Sequence, residues 1–575
     1  MEYMKIYEEW LNNPHIDEDT KKELLSIKDN EKEIQERFYT ELEFGTAGLR
    51  GKLGAGTNRM NKYIIRKATQ GIAETIKNKG QEYMDMGVAI AYDCRHFSPE
   101  FAKEAALVLC ANNIKAYLFE SLRPTPELSF AIRTLNTASG INITASHNPK
   151  DYNGYKVYWK EGSQIKSDIA DEMMANIKNI NDFGSIPTIS EEEALSKGLL
   201  TMIAKEIDDA YIEGVKGLSL RDAEIDKDIV IVYTPLNGAG NVPVRRVLAE
   251  RGFKNVHVVK EQELPDPNFT TIEYPNPEDL KAFEYSERLA HEVNADFLIA
   301  TDPDCDRLAV EVRTSQGKII PLNGNQTGAL LINYILEALS EKGQLPNNGI
   351  IVKSIVTGEL GTAICNKYGV EMKEVLTGFK NICEIANQLD TTKDKEYIFG
   401  YEESIGYVTG TLVRDKDGVS SSMMLAEAAA YYKTKGKTLV DVLNDLYTEF
   451  GYYQEKQISL VLEGIEGQKR IARMMEVYRR EYLTSIGNSK LVKLADFLTL
   501  ETTDFASNEK TSIDMEKTDA LKFTFDDGCW YALRPSGTEP KIKLYIYSKA
   551  STLEESRNML KSIEDSVLQK LHSIE

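Results

Sequence analysis

The sequence predicts an α/β protein: three tandem α/β units followed by a smaller C-terminal α+β unit. Three observations predict it. The chain has 575 residues, several times the ~100–200 residues of one domain. An order of strand, polar turn, helix and strand recurs three times, which implies parallel or mixed sheets covered by helices. From about Tyr452 that order stops, and strands follow one another with a helix on either side.

The first forty residues, through "EEWLNNPHIDEDTKKELLSIKDNEKEIQERFY", are charged and helix-like and read as a helical leader, 1–40. "GTAGLRGKLGAGTNRMNKY" is Gly-rich and basic, so a loop. "MGVAIAYDCRHFSPEFAKEAALVLCANNIKAYLF" then reads strand, turn, helix, strand, with Ser98 as N-cap and Pro99 at the first helical position. A helix from about Thr125, the strand "GINIT" and the extended "NGYKVYW" complete a first domain expected over 41–210. "NDFGSIPTISEEEALSKG" reads as an insertion or a boundary. The second domain, 211–322, runs from "DIVIVYTPLNGAGNVPVRRVLAERGFKNVHVV" through a helix at "AFEYSERLAHEVN" to the strand "ADFLIATD". The third, 323–451, holds "GIIVKSIVTG", a helix at "ELGTAICNKYG", "EMKEV" and "EYIFGYEESIGYV". The fourth, 452–575, has the helix "EGQKRIARMMEVYRREYL", the strands "ALKFTF", "CWYALR" and "IKLYIYS", and a last helix. The three α/β units share order, not residues.

Composition narrows the function classes. A net charge of −21 argues against a broad nucleic-acid surface but leaves room for local basic pockets. No apolar run reaches the ~18 residues of a membrane helix, and the N-terminus lacks a secretory core. The six cysteines are scattered without metal or disulfide spacing, which suggests reduced thiols and a cytoplasmic protein. His15, His96, His257, His291 and His572 show no ligand spacing and read as structural. Ser420–Ser422 read as a helix start.

In each of the first three units a polar motif follows a strand, where open α/β sheets bind ligands, and a fourth motif lies in the last unit. In "ITASHNPKDYNGYKVYW", Ser146 lies at a strand end beside His147, and Lys156 sits in an otherwise apolar stretch. The elbow G-x-S-x-G is absent, which argues against an esterase. A hydroxyl with a partly desolvated lysine suits phosphoryl transfer, Ser146 carrying the group and Lys156 moving a proton. In "IATDPDCDRLAV", Asp302, Asp304 and Asp306 alternate, and an extended loop would point all three the same way. An EF-hand is excluded: Arg307 stands where it needs Gly, and Arg313 where it needs Glu. An aspartyl-phosphatase D-x-D leaves the third Asp without a role. An acidic solvated turn stays open beside the preferred reading, a Mg²⁺ site. In "FGYEESIGYVTG", Glu402, Glu403 and Ser404 suit sugar hydroxyls, with a plain charged loop as the alternative. In "RPSGTEPKIKLYIY", Arg534, Ser536, Gly537 and Thr538 lead into Lys541 and Lys543 and suit a phosphate clasp, with a bare surface turn as the alternative.

Together these motifs, in this order, resemble the α-D-phosphohexomutase family. "TASHNP" is similar to its phosphoserine loop, "DPDCDR" to its metal loop, "GYEESIGY" to its sugar loop and "RPSGTEPK" to its phosphate loop; "GTAGLRG" and "TGFK" resemble two further active-site segments. The resemblance implies four domains around a central cleft, three of them related. It implies Ser146 as the phosphoserine and, through its phosphate, a ligand of one Mg²⁺ with Asp302, Asp304 and Asp306. Arg50, His147, Lys156 and Arg307 would surround the transferring group. Thr377, Gly378, Glu402 and Ser404 would meet the sugar. Lys416 in "RDKDG" would add a basic contact, and Arg534, Ser536, Gly537 and Thr538 would hold the other phosphate. The implied reaction moves a phosphoryl group between positions of a sugar phosphate through a sugar 1,6-bisphosphate, which also activates the enzyme. "EESIG" favours glucose phosphates. Mannose and pentose phosphates remain alternatives, as does a metal-dependent sugar phosphatase; a sugar-phosphate sensor would lack the nucleophile or metal ligands, and none is missing. The oligomeric state is not readable from the sequence.

Overall fold

The computed structural model describes residues 2–42, 44–45, 48–180, 182–462, 464–536 and 540–575. They divide into two compact units, Met1–Gly324 with Ile382–Thr438, and Asn325–Asn381 with Leu439–Glu575. The segment expected as a third domain therefore contributes to both. Among the described residues no helix is long and apolar enough to cross a membrane. The six cysteines are free thiols, five of them buried.

In the first unit the leader forms three helices, Glu2–Asn12, Glu18–Ser26 and Glu31–Phe38. Their aromatic faces meet edge to face: Trp10 packs on Phe38 and Tyr63, each at 5.7 Å between ring centroids. The leader also grips the Gly-rich segment after it. Arg37 donates to Ala55 O at 3.2 Å, Asn58 N to Arg37 O at 2.9 Å, and Thr57 Oγ1 to Thr40 O at 2.7 Å. That segment is not all loop, as the sequence suggested. Leu49–Lys52 pairs antiparallel with Tyr152–Trp159 and places Arg50 at a sheet edge.

The first sheet has six strands, in the order Leu49–Lys52, Tyr152–Trp159, Ser139–Ile143, Val88–Tyr92, Ala116–Phe119 and Leu200–Ile203. The last four run parallel and the first two antiparallel. Because Leu200–Ile203 joins this sheet, the stretch around residues 181–198 lies within its run of chain. The helix Lys205–Gly217 crosses residue 210. Ser98 is not the N-cap. Phe97 holds that place in a left-handed conformation, φ 64°, and Ser98 is the first helical residue. Its hydroxyl donates to Asp93 Oδ1 at 2.8 Å, which explains why it does not cap the helix.

The second sheet runs Ile319–Leu322, Leu308–Arg313, Phe297–Thr301, Ile231–Thr234 and Val256–Val258, with the last three parallel. The first unit also holds the antiparallel pair Glu396–Glu402 and Gly406–Thr409 and the helix Gly418–Thr434. That helix is buried from Gly418 to Tyr432. Asp417 caps it by accepting from Val419 N and Ser420 N, so the serine run is a helix start.

In the second unit Gly349–Ser354 pairs parallel with Glu371–Val375. The C-terminal sheet is antiparallel throughout, in the order Tyr452–Val461, Lys541–Ala550, Trp530–Pro535, Leu521–Phe525, Ser489–Asp496, Glu501–Asp504 and Glu509–Ser512. Leu521–Phe525 alternates buried and half-buried, as a one-sided sheet should. The helices Gly464–Arg480 and Leu553–Ser573 share a core with that buried face, through Met474, Tyr478, Val567 and Leu571 against Phe523, Tyr531 and Leu544.

Asp17 ties the leader to the first domain. It accepts from Asp19 N and Thr20 N, from the Tyr63 hydroxyl, and from Lys62 Nζ at 2.8 Å. Burial opposes its charge, but Lys62 and Tyr63 outweigh it and hold the carboxyl well below the usual range. A depressed folded value stabilises the fold above the unfolded pKa of about 4 and loses that contribution as pH falls below it. Asp17→Asn should therefore lower the melting temperature by about 2 °C at pH 7, solvent screening keeping the effect near 1 kcal/mol or less. The gap to wild type should narrow steadily as the pH falls below about 4 toward the depressed folded value, as differential scanning calorimetry between pH 5 and pH 2 would show; a gap that stays constant over that range refutes the linkage.

Candidate active site

The site begins with two buried loops that leave parallel strand ends. Ser146 follows Ser139–Ile143 and is 3% exposed. It adopts a left-handed backbone at φ 52°, which is unusual for a non-glycine residue and is held by its surroundings. Ser146 N donates to Thr144 Oγ1 at 2.8 Å, and Thr144 Oγ1 donates to Asp93 Oδ2 at 2.6 Å.

Arg95, fully buried, organises the rest of the loop. Its guanidinium donates to the carbonyls of Ser146, Asn148, Pro149 and Tyr152, the Pro149 bond at 2.7 Å. Asp93 Oδ2 lies 3.2 Å from Arg95 Nε. The sequence reading passed over Asp93 and Arg95. The available signal was position: "YDCR" follows an apolar strand, as the four recognised motifs do.

Asp302, Asp304 and Asp306 follow Phe297–Thr301, and each is at most 2% exposed. This excludes the acidic solvated turn. Their carboxylate oxygens lie within 4.8 Å of one another. The expected extended loop is instead a tight turn. Cys305 is left-handed at φ 52°, and its N–H donates to Asp302 O at 2.8 Å. The carboxylates converge because the chain folds back, not because alternate residues share one face. Neighbouring segments clamp the turn's backbone: Thr125 N donates to Asp304 O at 2.9 Å, Ala239 N to Pro303 O at 2.8 Å, and Gly418 N to Cys305 O at 3.1 Å. Gly238 and Gly418 permit this approach, since a Cβ at either would meet the turn's backbone at 2.5 Å and 2.7 Å respectively.

The two loops touch through Ser146. Ser146 Oγ donates to Asp302 Oδ2 at 2.6 Å and lies 3.2 Å from His147 Nδ1. Lys156, 7% exposed, donates to Asp304 Oδ2 at 2.6 Å and to Asp306 Oδ2 at 3.5 Å. Burial lowers the ammonium's pKa, yet Asp304 and Asp306 outweigh it and hold it above the ordinary lysine range. Lys156 is thus a fixed cation, suited to offsetting negative charge. Lys416 Nζ lies 3.1 Å from Asp306 Oδ2 and is likewise held charged, by Asp306 and Asp415 against burial. Burial, then Arg307 and Arg50, push His147 well below its ordinary value, so it stands neutral. Arg307 Nη1 lies 3.4 Å from Glu278, and Arg50 donates to Asn148 Oδ1 at 3.2 Å.

The donor set fits a hard divalent cation. Among the described residues, Asp304 Oδ1 and Asp306 Oδ1 are buried without a hydrogen-bond partner, while each residue's other oxygen is taken by lysine. Burial and the neighbouring Asp304 and Asp306 charges push Asp302 well above the usual carboxylate range, so the cluster favours positive charge beside it. Carboxylate oxygens alone, with no soft ligand, favour Mg²⁺-like ions.

Glu402 ends the strand Glu396–Glu402 and is buried, with Ser404 half-buried in the turn after it. This turn reaches the metal loop, because Leu308 N donates to Ile405 O at 3.1 Å. The second unit carries Thr377, Gly378, Arg534 and Ser536. Gly378 is left-handed at φ 106°, and Thr377 O accepts from Asn381 Nδ2 at 3.0 Å. Arg534 sits on Trp530–Pro535 opposite Lys543, and Ser536 N donates to Lys541 O at 2.8 Å. Gly537 and Thr538 lie outside the described residues.

The fold and the phosphoserine-type and triple-aspartate loops define a phosphosugar mutase architecture, and comparison with known proteins agrees. Models of phosphoglucomutase/phosphomannomutase α/β/α domains I, II and III match residues 41–183, 209–317 and 323–450, and the C-terminal domain matches 488–558. A phosphoglucomutase of Staphylococcus haemolyticus is 38% identical over 521 residues, 91% of this chain and 93% of that protein. One from Staphylococcus aureus is 38% identical over 524 residues, 91% and 92% of the two chains. Among solved structures, the Paramecium phosphoglucomutase parafusin superposes with TM-score 0.67 at 18% identity, covering 93% of this chain and 95% of its own. A phosphoglucomutase/phosphomannomutase family protein of Burkholderia thailandensis gives TM-score 0.64 at 19% identity, covering 91% and 97%. The chain belongs to the phosphoglucomutase/phosphomannomutase family and is an enzyme of the mutase, intramolecular phosphotransferase type.

Removing Arg95 would leave Asp93 buried without its partner and four loop carbonyls without a donor. Such a loss costs ~3–5 kcal/mol. Arg95→Ala should lower the melting temperature by about 5 °C or more and reduce turnover at least tenfold. A variant that melts and turns over like wild type would show that the loop holds itself.

Proposed function

We propose that this enzyme is a phosphoglucomutase, interconverting glucose 1-phosphate and glucose 6-phosphate in the cytoplasm through a phosphorylated Ser146. The observation that carries this is the direct contact between Ser146 Oγ and the buried aspartate cluster, flanked by two held-charged lysines. In the first half-reaction the substrate's free hydroxyl attacks the phosphoryl group on Ser146. The P–O bond to Oγ breaks as the new one forms; the hydroxyl gives up a proton and Ser146 takes one up. The sugar 1,6-bisphosphate turns round and returns its other phosphoryl group to Ser146. Neutral His147, with Nδ1 beside Oγ, accepts the serine proton in that return step. Lys156, Lys416, Arg50 and Arg307 offset charge on the moving group. Asp302, Asp304 and Asp306 would hold one Mg²⁺, which supplies charge compensation to the phosphoserine. Glu402 and Ser404, with Thr377 and Gly378, would meet sugar hydroxyls, and Arg534, Ser536, Gly537 and Thr538 the distal phosphate. The same bisphosphate, bound from solution, would prime unphosphorylated Ser146.

Ser146→Ala should remove nearly all turnover while the melting temperature stays close to wild type. Intact active enzyme should carry phosphate on Ser146 by peptide mass analysis, and chelation should abolish activity until Mg²⁺ is restored. Phosphate on another residue, or full activity after exhaustive chelation, would sink the assignment.

The choice of glucose rests on the likeness of "EESIG" to the glucose-preferring loops of the family, with Glu402 and Glu403 able to accept from equatorial hydroxyls. Glucose and mannose differ at C2, and one buried hydroxyl contact left unpaired costs ~1–3 kcal/mol, a preference of roughly tens-fold. Glucose 1-phosphate should give the highest kcat/KM, above mannose 1-phosphate and ribose 1-phosphate. A higher value for ribose or mannose would overturn the choice, and release of free phosphate would point to a phosphatase.

A further inference from the structure

The segment that delivers Lys416 is tied to the first domain by a buried polar lattice that phosphoryl transfer itself does not call for. Arg414 is fully buried; its backbone N–H donates to Ser129 Oγ at 2.8 Å, and its guanidinium donates to Asn387 Oδ1 at 2.8 Å. Next to it, Asp415 is 2% exposed and splits its two oxygens between different tasks. Oδ2 accepts from the Tyr158 hydroxyl at 2.8 Å and from Gln164 Nε2 at 3.1 Å. Oδ1 accepts from Lys416 N at 2.8 Å and from Lys416 Nζ at 3.1 Å.

Tyr158 and Lys156 are two residues apart on one strand and so share a face. One reaches Asp415 and the other reaches Asp304. Lys416 closes the circuit, its ammonium standing 3.1 Å from both Asp306 Oδ2 and Asp415 Oδ1. A lysine side chain has four rotatable bonds and about 2 kcal/mol of rotamer entropy, so a single carboxylate is a poor guide to its direction. Two carboxylates fixed on either side set two of its three donor directions and thereby the third.

We propose that Asp415 is a positioning residue for Lys416, anchored by Tyr158 and Gln164 so that the ammonium stays aimed beside Asp306. This rests on Lys416 being a substrate-facing cation, as above. Asp415 touches no reacting atom. Its effect passes through Lys416, which makes the two residues' contributions overlap.

The test uses the full-length enzyme and two independent readouts. The first is limited acetylation with acetic anhydride, read by peptide mass spectrometry. Asp415→Asn should raise labelling of Lys416 by about threefold or more, while Lys67, 13% exposed in the same domain, stays unchanged. Tyr158→Phe removes one anchor without altering charge; it should raise Lys416 labelling by a smaller factor, and it decides the matter if Asp415→Asn fails to fold. The second readout is kinetic. Asp415→Asn should lower kcat about tenfold with KM within about threefold, Asp415→Glu should recover part of the loss, and adding Asp415→Asn to Lys416→Ala should cost nothing more. Unchanged Lys416 labelling, or losses that multiply in the double variant, overturn the proposal. A wild-type enzyme that does not isomerise sugar phosphates overturns the functional reading instead, and the labelling result still judges Asp415.

Discussion

Three carboxylates buried within 4.8 Å of one another are the constraint on which the first unit depends. Like charges at that range repel strongly once water is removed. The structure meets this cost from several directions. Lys156 arrives from the first sheet and Lys416 from the segment before a buried helix, and each takes one oxygen of Asp306 or Asp304. The Asp306 and Arg307 N–H groups take Asp302 Oδ1. Thr125 Oγ1, at a helix start, donates to Asp304 Oδ2 at 2.7 Å. The oxygens left over are those a divalent cation would bind. Segments distant in sequence are held together because each supplies part of the compensation.

The same constraint accounts for glycines near the turn. Backbone donors must come within hydrogen-bond distance of Pro303 and Cys305, and a side chain at Gly238 or Gly418 would occupy that space. "NGAG" therefore serves close packing between the second domain and its own metal loop. A phosphate-cradling role, which a Gly-rich turn after a strand would also suggest, is not needed to explain it.

Much of this was legible in the sequence because strand ends carry strong local signals. An apolar run followed by "DPDCD" or "ASHNP" announces both the strand and the polar loop, and both loops lie where the sheets end. What was not legible depends on contacts between segments far apart in the chain. Leu49–Lys52 is a strand only because Tyr152–Trp159 offers an edge; its own glycines and charges argue for a loop. Ser98 has the composition of an N-cap, but buried Asp93 draws its hydroxyl away. Arg95 and Asp415 sit in short charged stretches whose burial is set by segments far away in the chain, and only the fold shows both to be buried. The Asp302–Asp306 spacing pointed to the right cluster through the wrong geometry, since a left-handed Cys305 does what an extended strand was expected to do.

Arg95 grips carbonyl oxygens of the Ser146 loop, not its side chains. Every amino acid has a carbonyl, so the clamp places few demands on which residues follow Ser146. The exposed Lys150 is then open to substitution without loosening the Ser146 loop, whereas Asn148 also offers its Oδ1 to Arg50.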